Sequence, residues 1–158
     1  MNLFKLNKKK VLVLDGALGT LLIGKNHNCN EELNLTQPRL IKSIHEDYIG
    51  SGADIIETNT FGANSYKLKK YRLENKVIEI NRKAVKIAHS CSKKVFVAGS
   101  IGPLGIYLEP IGNMKFSEAY DIYKEQAKGL KGVDIILIET ISDLRIAKAA
   151  ILAIKDTI

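Results

Sequence analysis

The chain has 158 residues, of which 46% are hydrophobic and 6% aromatic, with no tryptophan and a formal net charge of +7. That length suits one domain with an ordinary buried core, and no apolar run reaches the roughly 18 residues a membrane-spanning helix needs. The lysines gather at Lys8-Lys9-Lys10 and between Lys67 and Arg72, without an RNP-like, zinc-finger or helix-turn-helix pattern, so a solvated basic surface is favoured over a nucleic-acid partner.

Residues 1–10, MNLFKLNKKK, are charged but lack a following apolar stretch with a small-residue cleavage site. They read as a polar lead-in to a cytoplasmic protein. Val11–Leu14 then predict a first strand that runs into Asp15-Gly16. After a polar loop containing His27-Asn28-Cys29, Gln37-Pro38 introduces a helix marked by Leu40, Ile41, Ile44, Tyr48 and Ile49 and closed by Gly50-Ser51-Gly52. Asp54–Glu57 predict a second strand, and Val77, Ile80, Ala84, Val85, Ile87 and Ala88 a second helix. KVFVAGS is the third strand, and Phe116, Ala119, Tyr120, Tyr123, Ala127 and Leu130 trace the third helix, closed at Gly132. VDIILIET is the fourth strand; Leu144, Ala147, Ala150, Ile151 and Ile154 mark the last helix.

Strand and helix thus alternate four times over residues 11–158, which predicts an α/β fold with a parallel sheet. Gly52–Thr58 and Gly132–Thr140 share the lead-in Gly-(Ala/Val)-Asp-Ile-Ile, as in a pseudo-repeated barrel, and there is no Gly-rich nucleotide loop. A closed TIM barrel has eight such units, so the expectation is the first four βα units of a (β/α)8 barrel. Such a half barrel has open edges to be covered by the remaining half or by a second copy.

In parallel barrels the chemistry sits at the carboxyl ends of the strands. Here those ends carry Asp15-Gly16, Glu57-Thr58-Asn59-Thr60, Gly99-Ser100 and Glu139-Thr140. Carboxylates converging on one mouth suit a cationic group such as an ammonium, or acid–base work. Gly16 and Gly19 let backbone N–H groups approach an anion. Each carboxylate also has an ordinary explanation: a turn former at Asp15, a buried network member at Glu57, a neighbour of a helix cap at Glu139. One shared site accounts for all three at once. Cys29 and Cys91 stand 62 positions apart and make no disulfide framework.

The segments LVLDGALGT, EELNLTQPRLI, IHEDYIGSGADIIETNTFGAN, VAGSIGPLG and DIILIETISDL, in this order, resemble the homocysteine-binding domain of the homocysteine S-methyltransferases, nearest to the homocysteine module of the cobalamin-dependent methionine synthases. The resemblance implies a barrel that binds homocysteine and methylates its thiolate to give methionine. It implies that Asp15 and Glu139 hold the homocysteine ammonium and that the backbone at Gly16 and Ala17 receives the carboxylate. Asn59, Thr60 and Ser100 would line the same pocket.

The family activates the thiol on zinc held by three cysteines, and Cys29 and Cys91 match none of them. These residues are therefore expected to hold the amino-acid end of the site without its metal, and to be inactive alone. The donors the family uses are methylcobalamin charged from methyltetrahydrofolate, S-methylmethionine and betaine, and these residues do not select among them. The rival readings are a non-catalytic half barrel that dimerises or binds an amino acid, and an unrelated barrel whose carboxylates bind a metal or a sugar.

Overall fold

The computed structural model describes residues 11–25, 27 and 29–158, so the lead-in over 1–10 lies outside the described residues. Three parallel strands, β1 (Ile55–Glu57), β2 (Phe96–Ile101) and β3 (Ile135–Ile138), form one sheet in the order β1-β2-β3. Glu57 pairs with Ala98, and Ser100 with Leu137, so the strand ends carrying the polar residues lie side by side. Helices α1 (Leu18–Leu21), α2 (Leu33–Thr36) and α3 (Pro38–Gly50) precede β1, and the short α4 (Ser65–Leu68) follows it. The crossovers and the final helix are α5 (Val77–Cys91), α6 (Phe116–Gly129) and α7 (Leu144–Lys155).

The predicted helices form for the reasons their sequences suggest. Pro38 occupies the first helical position of α3, where its missing N–H costs nothing. Gly52 closes the following turn at φ +103, a conformation that favours glycine. The Asp143 side chain caps α7 by accepting from the Arg145 N–H at 2.8 Å. At the end of α6, a Cβ on Gly129 would stand 2.6 Å from the Asn81 Cβ of α5, so the glycine sets how closely these two helices approach.

The core lies between the sheet and its helices. β2 is buried along its whole length, as a parallel strand covered on both faces must be. Tyr123, Ile101, Leu104 and Leu130 pack with Ile146, Ala149 and Ala150 of α7 in the largest apolar cluster. Across β1 the burial alternates: Ile56 is fully buried against Ala53, Ala88 and Val97, while Ile55 and Glu57 face the opposite side and stay half-buried. Among the described residues, no helix is long and apolar enough to cross a membrane.

The fourfold alternation is corrected at its first element. Val11–Leu14 form no strand; they contribute one parallel bridge, Leu14 to Ile55. The Val13 carbonyl accepts from both Asp54 N (2.8 Å) and Ile55 N (3.1 Å), and the Val13 N–H is taken by the Asp54 carboxylate at 3.1 Å. A carbonyl shared in this way and an amide given to a side chain stop a regular ladder from propagating. Val11, Val13 and Leu14 are 85%, 53% and 42% exposed, so no second neighbour reinforces the segment. The segment still lies parallel to β1, because Asp15 N donates to Ile55 O at 3.0 Å. The last strand is shorter than predicted, ending at Ile138; Glu139 N still bonds Ile101 O at 3.0 Å before Thr140, at φ +57, turns the chain away.

Candidate functional site

Strand ends and the loops after them enclose a cavity of about 410 Å³ lined by Asp15, Gly16, Ala17, Asn59, Thr60, Ser100 and Glu139, together with Glu57, Thr58, Glu31 and others. All seven residues singled out in the sequence therefore face one space. Their roles inside it differ.

Asp15, Glu57 and Glu139 form an acidic mouth. Asp15 Oδ2 accepts the Glu57 N–H at 3.0 Å, which ties the end of the first segment to the end of β1. Its other oxygen, Oδ1, is buried and among the described residues has no hydrogen-bond partner. Ser100, buried on β2, donates its hydroxyl to Glu139 Oε1. Glu57 and Glu139 line the same cavity, where the charge of Glu139 acts on Glu57. Burial pushes the Asp15 carboxyl up to about 6; hydrogen bonds from Glu57 and from its own backbone oppose that rise, and the charge of Glu139 adds to it. Burial, and then the charges of Glu139 and Asp15, raise Glu57 to about 8.

Beneath the acids lies a neutral network whose hydrogen bonds stay within the protein. Thr60 donates to the Ser100 carbonyl at 2.8 Å and shares a 2.6 Å hydroxyl contact with Thr58, whose Oγ1 accepts the Ser100 N–H at 3.2 Å. Asn59 gives its amide hydrogens to Asn30 O (2.6 Å) and Asn34 Oδ1 (3.2 Å). Gln126 of α6 reaches Thr60 O at 2.8 Å. Asn59 and Thr60 thus brace the loop that follows β1, with their polar groups spent on neighbours. This network fixes the backbone on which the carboxylates stand.

Gly16 and Ala17 cross the rim of the cavity, and among the described residues their N–H groups take no protein partner. A Cβ on Gly16 would stand 3.0 Å from the Tyr48 hydroxyl, so glycine is what lets the backbone pass at this distance. Two free N–H groups next to an acidic pocket offer opposite poles for a zwitterion: donors for a carboxylate, carboxylates for an ammonium.

Sequence reasoning had no role for Glu31 or Asn30. The 3₁₀ turn Asn30–Glu32 folds over the mouth, and Glu31 Oε1 accepts the Gly62 N–H at 2.7 Å. The signal was present only as a polar loop, which does not reveal where it folds. Neither cysteine lines the acidic mouth. Cys29 is buried with Ala63, Leu68, Val77 and Ile80, and desolvation raises its thiol to about 11. Cys91 ends α5 and points its sulfur at the Ile87 and Lys42 carbonyls. The ring nitrogens of His27 lie 2.7 Å from Lys25 O and 2.7 Å from Asn30 Oδ1. Among the described residues no three His, Cys, Asp or Glu side chains are grouped to hold a metal ion, so the residues present do not fit a zinc site.

Comparison with known proteins finds relatives in sequence and in fold. The methionine synthase of Mycobacterium tuberculosis (strain ATCC 25618 / H37Rv) is 37% identical over 91% of the chain, and that of Mycobacterium leprae (strain TN) is 35% identical over 91%. The chain spans 14% and 13% of those proteins' lengths. The metallated form of the homocysteine methyltransferase MmuM from Escherichia coli has the same fold, with a TM-score of 0.81 at 22% identity; the match covers 94% of this chain and 60% of that one. Its apo form matches with a TM-score of 0.72. The family model for homocysteine S-methyltransferases runs from residue 12 to residue 158, past every wall of the acidic mouth, and the chain belongs to that family.

Proposed function

We propose that this chain supplies the amino-acid-binding part of a homocysteine S-methyltransferase domain of the methionine synthase type. The observation that carries the reading is the convergence of Asp15 and Glu139 with the free N–H groups of Gly16 and Ala17 around one cavity, in a chain whose family match covers all four. Asp15 and Glu139 take the homocysteine ammonium; the Gly16 and Ala17 N–H groups take its carboxylate. Ser100 aims Glu139, and Asn59 and Thr60 hold the loop behind them. In the reaction a sulfur–methyl bond forms as the donor–methyl bond breaks, and the thiol proton passes to solvent.

Of the family's donors, methylcobalamin recharged from methyltetrahydrofolate is the one that would go with a methionine synthase type of domain. Zinc, which lowers a thiol's pKa to make it nucleophilic, would be held by other cysteines, because neither the buried Cys29 nor the half-buried Cys91 lines the mouth. The remaining strands of a (β/α)8 barrel cover the edge exposed at Val11, Val13 and Leu14. The amino-terminal residues 1–10 are a lead-in to that domain, and the protein works in the cytoplasm.

Calorimetric titration of the full chain with L-homocysteine tests the reading. Asp15→Asn and Glu139→Gln each remove a charge-assisted contact worth about 1.5–3 kcal/mol, so each is expected to weaken binding by roughly 10- to 100-fold. Affinity unchanged in both variants would withdraw these two assignments.

A further inference from the structure

Glu57 has no part in the ammonium grip described above, yet it stands at its centre. We propose that Glu57 is the proton store of the empty site: it shares one proton with Glu139 until an amino-acid ammonium enters, and the proton is then released to solvent. The inference rests on the reading of the cavity as an amino-acid site and adds to it a coupling between substrate binding and proton release.

Three carboxyl groups clustered in one cavity favour keeping a proton among them. Two carboxylates repel, and they can hydrogen-bond to each other only if one of them is protonated. Glu57, Glu139 and Asp15 line one cavity, and the charges of the other two act on Glu57 there. The charges that act on Glu57 come from the two elements beside it: Glu139 after β3, and Asp15 before α1. From β2, Ser100 offers Glu139 a neutral hydroxyl, and from the far wall Glu31 adds another acid already bound to Gly62 N. Among the described residues no basic side chain lines the cavity. In the empty mouth the proton is the available counter-charge, and the lift of Glu57 to about 8 accords with its being held at neutral pH.

An incoming –NH₃⁺ offers three donors and a full positive charge. It displaces the shared proton and lets both carboxylates ionise around it; the ammonium keeps its own protons. One proton leaves for each amino acid bound. It follows that affinity rises with pH below the Glu57 titration, by up to about tenfold per unit.

The test titrates the full chain with L-methionine, a ligand of the same zwitterionic head that has no thiol proton to lose. Titrations at pH 7 in phosphate, HEPES and Tris, whose ionisation enthalpies differ, give the protons exchanged from the slope of observed enthalpy against buffer enthalpy. The wild type is expected to release about one proton, with a dissociation constant that falls as pH rises from 6 to 7.5. Glu57→Gln, checked for native circular dichroism, is expected to bind with almost no release and a flat pH profile. Wild-type binding without proton release overturns the proposal and leaves the amino-acid site standing. Release that persists in Glu57→Gln also overturns it, because the proton then belongs to Asp15 or Glu139. Failure of both L-methionine and L-homocysteine to bind the wild type overturns the reading of the site itself, and the proposal with it. An infrared band of a protonated carboxyl group that disappears on ligand binding to the wild type supports the same assignment without any variant.

Discussion

Ionisable groups are buried in two regions of this molecule, and they are buried differently. At the mouth, Asp15, Glu57 and Glu139 face one another and a hydroxyl, so each has a polar neighbour whose charge or hydrogen bond can change. On α3, His45 is fully buried, and among the described residues neither ring nitrogen has a hydrogen-bond partner; burial alone lowers its pKa to about 4. The two regions therefore respond to pH with opposite sign. The folded-state values of Asp15 and Glu57 are raised, so their carboxyls are cheap to bury when protonated. The empty mouth loses stability as pH rises from about 4 through 6 and on to 8. His45 has a depressed value, so its contribution is intact above about 6.5 and is lost as pH falls towards 4. A polar cluster can be rescued by a ligand; an isolated imidazole cannot.

The sharpest way to separate the regions is to damage the core and leave the mouth alone. Tyr123 is fully buried between α6 and the strands, with its hydroxyl donating to Gly102 O at 3.2 Å. Tyr123→Ala deletes an aromatic ring and leaves a cavity, which costs about 3–5 kcal/mol. Urea unfolding is expected to show that loss, while the fraction still folded binds homocysteine with unchanged affinity. A weaker affinity in the folded fraction would show that core and mouth are coupled through Gly102 and the loop behind it.

The next test concerns the isolated histidine. A pKa shift from 6.5 to about 4 corresponds to roughly 3 kcal/mol between the two ends of that range. Chemical denaturation of the wild type between pH 7 and pH 4 is expected to show a decline that His45→Leu largely removes. The apolar variant is also expected to be the more stable protein at pH 5, because no imidazole has to be kept neutral. An identical acid-side slope in both proteins would assign the decline to other groups.

These two regions also mark what could be seen in the sequence. The α3, α5, α6 and α7 helices were legible because their apolar residues repeat at helical spacing and glycines follow them. The strand-end acids were legible because an apolar run that stops at Asp or Glu is unusual. Three things were not. Val11–Leu14 has strand composition, but its failure to propagate depends on where the Asp54 side chain sits, 41 residues away. The fold of Asn30–Glu32 over the mouth depends on contacts with Gly62 and Asn59 that no local pattern encodes. Glu57 could be read as packing or as chemistry, because its meaning depends on Glu139 lying beside it across two strands. Local periodicity specifies elements; the charge of a site is set by pairs distant in sequence.

The smallest expected effect is the most selective. Ser100 Oγ donates to Glu139 Oε1 and touches the mouth by that bond alone, while its backbone belongs to β2 and the Thr58–Thr60 network. Ser100→Ala removes one neutral hydrogen bond, worth about 0.5–1.5 kcal/mol, and leaves every charge in place. Homocysteine binding is expected to weaken by roughly 3- to 10-fold, less than for Glu139→Gln, because the carboxylate remains but is no longer aimed. Ser100→Thr retains the hydroxyl and is expected to recover most of the loss. If alanine and threonine behave alike, the hydroxyl does not position Glu139, and its bond is a by-product of the strand register. If alanine weakens binding as much as Glu139→Gln, the ammonium contacts Ser100 directly, and the grip on the amino group has three members.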